Sequence, residues 1–227
     1  MKNKESKDFF HVYFGGGLFS HKDIIGNSML ADAISTVSNG KFRCLLPQNF
    51  EIRGKIPQEI RDYDIANLLE CDAAIFNYDG AELDSGTVVE YMFAKFADIP
   101  SVLVRSDFRS GGDCIDMGTG KMLPWNLMTA FFPRTEYVVV NSAEYYKSFS
   151  SAQKDDFVNQ SGVDCAKGMI EKYAKDIVIA LESVIASDRT LDNSVADKVF
   201  EWIAKMPNFS NEILVKRVEL ALKNKLK

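Results

Sequence analysis

The chain has 227 residues, of which 46% are hydrophobic, and carries a formal net charge of −5. That apolar content supports a core of ordinary domain size and excludes a disordered chain, while the acidic balance, with basic residues scattered, argues against a nucleic-acid polymer as partner. Cys44, Cys71, Cys114 and Cys165 stand far apart with no CxxC pair and no histidine beside them, which reads as reduced thiols rather than a zinc site or a disulfide frame.

The polar start MKNKESKD has no apolar h-region and no later segment approaches a membrane span, so a cytoplasmic protein without membrane contact is expected. Phe9 to Phe14 is a β-rich run ending at Gly15-Gly16-Gly17, a strand that meets a turn needing backbone freedom but does not complete GxGxxG. A helix follows over about 23–37, with Ile24, Met29, Ile34 and Val37 as its apolar members, and Asn39-Gly40 ends it. Phe42 to Leu46 is a second strand. Pro57 suits the first turn of a helix running to Glu70, with Ile60, Tyr63 and Leu68 on its apolar side.

Asp72 to Tyr78 is an apolar run of strand length, followed by an acidic turn over 79–84 and a helix in which Val89, Phe93 and Phe96 share one face. Pro100 breaks that helix before the strand Ser101 to Val104. Residues 105–121 are loop-like and too long for a mere connector, which marks them for function or partner contact. Leu123 to Met128 is a short apolar segment and Glu136 to Val140 a last strand. The alternation of strands and helices predicts an α/β, doubly wound parallel sheet with its core closing near residue 145. Three amphipathic helices over about 163–186, 194–206 and 212–226 then form a C-terminal helical extension assigned to packing or subunit contacts. The expected division is therefore 8–145 and 146–227.

A strand that passes into a helix through a carboxylate-rich turn is where such a sheet places its ligands. A helical side chain leans toward the N-terminus, so Glu90 lies over Gly86 and Thr87 and aims at the turn holding Asp84. Two carboxylates then open onto one pocket. The plainer alternatives are a solvated Glu90 and an Asp84 that caps the helix ahead of Ser85-Gly86-Thr87. Asp64 equally suits an exposed helix position, and Tyr13 and Phe19 suit core aromatics. His11 and His21 have no Cys or Ser partner and read as structural or surface residues. Arg105, Asp107 and Arg109 either line a substrate mouth or form surface ion pairs.

Four separated pieces together resemble the nucleoside 2-deoxyribosyltransferase family over roughly residues 10 to 140: Tyr13 to Phe19 after the first strand, Asp64 ahead of the central strand, Asp84 to Glu90, and Pro124 to Met128. The resemblance implies a flavodoxin-like domain that moves a 2-deoxyribosyl group between nucleobases through a covalent enzyme intermediate. Position by position it implies Glu90 as nucleophile, Asp64 and Asp84 as the acids that hold the base and manage its proton, and Tyr13 as the group orienting the nucleophile. It makes Phe19 a wall of the base pocket, Gln48 a weaker contact to the base, and counts Gly15 and Gly86 among the residues against the substrate. Asn126 and Met128 fall where family members complete a neighbouring subunit's site, which implies a homo-oligomer, commonly a hexamer built from dimers. The implied ligands are purine, and in some members pyrimidine, 2-deoxynucleosides and free bases, with no cofactor and no metal.

The residue types suit that chemistry. An anion beneath C1′ stabilises an oxocarbenium-like state and can trap it as an ester, and a neighbouring carboxyl group protonates the departing base. Two rivals share the scaffold: a deoxynucleoside or deoxynucleotide N-glycoside hydrolase, and a non-catalytic nucleoside-binding module. Short family members bring a terminal carboxylate into an adjacent site, and the helical tail departs from that pattern here.

Overall fold

The protein's structure, a computed structural model, describes residues 8–50, 56–109, 114–115, 122–150 and 162–226. The chain runs β1 (Phe10–Gly15), α1 (His21–Val37), β2 (Phe42–Leu45), α2 (Pro57–Glu70), β3 (Ala73–Asn77), α3 (Ser85–Phe96) and β4 (Ser101–Arg105). A short antiparallel pair, β5 (Cys114–Ile115) with β6 (Met122–Leu123), precedes β7 (Thr135–Val139), α4 (Ser142–Ser150), α5 (Gly162–Ala186), α6 (Asn193–Lys205) and α7 (Glu212–Asn224). Residues 110–113 and 116–121 of the 105–121 loop lie outside the described residues.

The main sheet is parallel in every pair, in the order β2-β1-β3-β4-β7. This is the flavodoxin-like arrangement, in which the chain winds outward from β1 in both directions and leaves a crevice beyond the carboxyl ends of β1 and β3. Strand alternation sorts the side chains there. Val12 and Phe14 face one helical layer with Ile34, Ile75 and Val104, whereas Tyr13, Ala74, Phe76 and Leu103 face the other, with Leu69, Tyr91 and Ala94. Tyr13 is thereby turned toward α2 and α3.

Helix ends follow local chemistry. Ser20 and Asp23 form a reciprocal capping box on α1, and Pro57 occupies the first turn of α2, where its missing N–H costs nothing. Asp98 adopts a positive φ of 55° just past α3, and the chain turns there into β4. On α3 the buried positions are Thr87, Tyr91, Phe93 and Ala94. Val89 and Phe96 are 52% and 45% exposed, so the expected stripe of Val89, Phe93 and Phe96 is corrected: Val89 lines a cleft rather than the core.

The C-terminal helices divide between the two faces. On α5, Tyr173, Ala174, Ile177, Leu181 and Val184 share the core of Val12, Phe14 and Val102, so α5 completes the layer begun by α1. Segments on either side of residue 145 thus share one core. Helices α6 and α7 instead join the opposite layer, where Phe200, Leu214, Val218 and Leu222 pack with the α2 residues Ile65 and Leu69. Burying side chains of this size contributes roughly 1.5–3 kcal/mol each.

Candidate active site

Asp84 caps α3: its Oδ2 accepts from the Thr87 amide at 2.7 Å and from Thr87 Oγ1 at 2.8 Å. Both bonds fall on Oδ2, and Asp84 itself is not among the residues lining the cleft between α2 and α3. The turn leading into this cap is tied to β4. Asp79 accepts from Ser106 Oγ at 2.8 Å and from the Asp107 amide at 2.8 Å, and buried Arg105 donates to the carbonyls of Tyr78 and Gly80. Of the two readings of Arg105, neither a substrate mouth nor a surface ion pair describes it; it fastens the turn that presents Asp84. Asp107 and Arg109 do form an ion pair with each other.

One turn and a half into α3, Glu90 points back at the end of β1. Its Oε1 accepts from Tyr13 Oη at 2.7 Å. A Cβ added to Gly15 would lie 2.5 Å from Glu90 Oε2 and 3.0 Å from the Phe76 ring, so only glycine lets the carboxylate sit against the strand end. Gly86 is a looser fit, since a Cβ there would lie 3.1 Å from Asp84 Oδ2, a tight contact that a small shift relieves.

Glu90 opens onto a cleft of about 630 Å³ between α2 and α3. Asp64 lies in the same cleft, as do Ser85 and Gly86, with Ile60, Val89 and Phe93 as apolar lining. Burial pushes the Glu90 carboxyl up to about 7; the Tyr13 hydrogen bond lowers it, and the charges of Asp64 and Asp84 raise it. The same burial, with the neighbouring carboxylates, holds the Tyr13 phenol well above its ordinary range, so it remains a donor. The resulting site has one carboxyl poised near neutrality among acidic neighbours, on apolar walls that suit a planar heterocycle.

A sequence model of a family described as Nucleoside 2-deoxyribosyltransferase matches residues 12–128, just over half of the chain. The chain belongs to that family. Similar solved structures include a conserved protein from Enterococcus faecalis V583, at 24% identity over 60% of this chain and 93% of that one, with a TM-score of 0.47. A 2-desoxiribosyltransferase from Leishmania mexicana is 20% identical over 63% of this chain and 99% of its own, with a TM-score of 0.44. The CMP N-glycosidase BcmB from Clostridium botulinum is 15% identical over 63% and 99%, with a TM-score of 0.37. No curated protein sequence matches the chain.

The remaining predicted positions of this deoxyribosyltransferase-family chain are distributed as follows. Gln48 spends its amide on α1: Nε2 donates to Ile24 O at 3.0 Å and Ser28 Oγ at 2.9 Å, and Asn27 bridges it to Gly17 O at 3.0 Å. It therefore braces the glycine turn. Phe19 is 81% exposed and does not line the cleft of its own chain. Asn126 caps the short turn at Leu127–Thr129 through the Met128 amide, and Met128 is 72% exposed; both also lie outside the cleft.

Of the cleft's lining the sequence reading marked only Asp64, Gly86 and Glu90 as site residues, and among those it missed are Arg61, Met206 and Pro207. Arg61 had a usable signal, standing three positions before Asp64 and hence on the same face of α2. Met206 and Pro207 come from the segment assigned wholly to packing, and nothing local marks their return to α2. Among the described residues no group of His, Cys, Asp and Glu side chains is arranged to hold a metal, and no helix is long and apolar enough to cross a membrane.

Proposed function

We propose that the protein transfers a 2-deoxyribosyl group between nucleobases by a retaining double displacement through a glycosyl ester on Glu90. In the first half, a Glu90 carboxylate oxygen bonds to C1′ as the C1′–N bond breaks, and the electron pair leaves with the base, which takes a proton from Asp64 or from Asp84. In the second half the nitrogen of an incoming base attacks C1′ and loses its proton to that carboxylate, and the ester pair returns to Glu90. Two displacements at one carbon restore the β configuration.

The observation that carries this reading is the fixed Glu90 carboxylate: bonded to Tyr13 at 2.7 Å, seated over Gly15, and facing the cleft it shares with Asp64. Tyr13 orients the nucleophile and favours its ionised form, while Asp64 and Asp84 oppose the spread of negative charge and so suit acid and base roles. Asn126 and Met128, with Leu127 and Phe131 exposed beside them, complete the site of a neighbouring copy in a homo-oligomer, where Phe19 also gains its ring contact with the base. Substrates are 2-deoxynucleosides and free bases in the cytoplasm.

Incubation with deoxyinosine, with and without free adenine, tests the reading. Transfer predicts deoxyadenosine in the presence of adenine. Free deoxyribose released at one rate in both incubations identifies a hydrolase instead, and the absence of any product overturns both.

A further inference from the structure

One end of the cleft has no part in the glycosyl transfer itself. The turn between α6 and α7 brings Met206 and Pro207 to it, and that turn is tied to α2 by several bonds. Asp62, fully buried, accepts from the Ser210 amide at 2.6 Å and Ser210 Oγ at 2.7 Å, Arg61 Nη2 donates to Pro207 O at 2.9 Å, and Gln58 Nε2 to Asn208 O at 3.3 Å. Farther along, Arg217 grips Glu70 through both carboxylate oxygens, at 2.8 and 2.7 Å. The wall is thus built on the helix that carries Asp64.

Arg61 is the one cation in this cleft among the described residues. Its Nε and Nη2 are taken by Asp62 Oδ1 and Pro207 O, and its Nη1 makes no bond among the described residues although the side chain is about half exposed, at 49%. A guanidinium only donates, so a ligand that meets it must bring an acceptor. Ile60, Met206 and Pro207 around it are apolar and supply none.

We propose that this end of the cleft is a base-selecting subsite, in which Met206 and Pro207 cover the outer edge of the nucleobase and Arg61 Nη1 donates to its carbonyl oxygen. The assignment rests on the cleft being the nucleoside site proposed above. It makes 6-oxopurines the favoured class. Their O6 accepts from the one nitrogen still open, Nη1, whereas a 6-aminopurine turns an N–H toward it and leaves donors facing donors.

Calorimetric titration of free hypoxanthine and free adenine into the full chain needs no turnover and tests the subsite. The wild type should bind hypoxanthine about tenfold more tightly than adenine. Arg61→Met should bring that ratio close to one, Arg61→Lys should keep part of it, and Met206→Ala should weaken both bases alike. An Arg61 that only braces the turn would lower both affinities and leave the ratio unchanged, which overturns the proposal, as does a wild type without preference. Should Arg61→Met fail to fold, Arg61→Lys carries the same test. A deoxyribosyl adduct on Glu90 with an unchanged ratio sinks this inference alone, whereas oxopurine preference without any adduct sinks the transferase reading and leaves the subsite standing.

Discussion

Tyr13 Oη lies 2.7 Å from Glu90 Oε1, joining β1 to α3 across 77 positions of sequence. The bond stabilises the ionised carboxylate against burial and against two acidic neighbours. Tyr13→Phe removes it, so the Glu90 pKa should rise by about one unit or more. The rising limb of the pH–rate profile moves to higher pH by the same amount. Activity at pH 6 should fall by about tenfold or more, with a smaller loss at pH 9. Equal losses at both pH values would show that Tyr13 only packs.

In the wild type, adduct formation should rise with pH through about 7, because the nucleophile must be ionised and Glu90 is held there. Stability follows the opposite sign. A folded pKa above the unfolded value contributes stability that is fully present below about 4.5 and lost as pH rises through 7. Glu90→Gln should therefore narrow the difference between melting temperatures at pH 5 and pH 8, as read by calorimetry.

Gly15→Ala places a methyl group 2.5 Å from Glu90 Oε2. The carboxylate must move, so the rate should fall by about a hundredfold while stability drops by about 1–3 kcal/mol. Single-turnover kinetics together with a urea melt separate the two effects.

Asp62 anchors the α6–α7 turn. Burial opposes its ionisation, but the bonds from Ser210 and Arg61 outweigh that and hold its carboxyl below the ordinary aspartate range. A lowered folded pKa contributes stability above the ordinary carboxylate range that is lost as pH falls through the folded value. Asp62→Ala should cost about 3 kcal/mol near neutrality, with the deficit shrinking in strong acid. Denaturant melts at pH 7 and pH 3 measure this.

If Asn126 and Met128 serve a neighbouring copy, mixing inactive Glu90→Ala with inactive Asn126→Ala under conditions that exchange subunits should restore activity at some sites. Mixed samples that stay inactive while size-exclusion shows mixed oligomers would contradict the shared site.

The parts of the fold that local chemistry dictates were legible. Pro57 and the apolar spacing placed α2 at its observed ends, and Asp84 ahead of Ser85-Gly86-Thr87 read as the cap that it forms on α3. Alternation along β1 determines that Tyr13 shares a side with Glu90, though only the sheet order brings the two helices there. Periodicity marked α5 as amphipathic without saying that its partner is the sheet rather than other tail helices. The Asp62–Ser210 anchor spans 148 positions and leaves no pattern in nearby residues. Val89 read as core because an apolar residue lining a cleft has the same spacing as one packed inside.

The most direct measurement is intact-protein mass spectrometry of a reaction with deoxyinosine quenched in acid, followed by peptide mapping. A covalent deoxyribosyl group on Glu90 that disappears when adenine is added is the predicted result. A productive reaction with no adduct, or an adduct on any other residue, would contradict it.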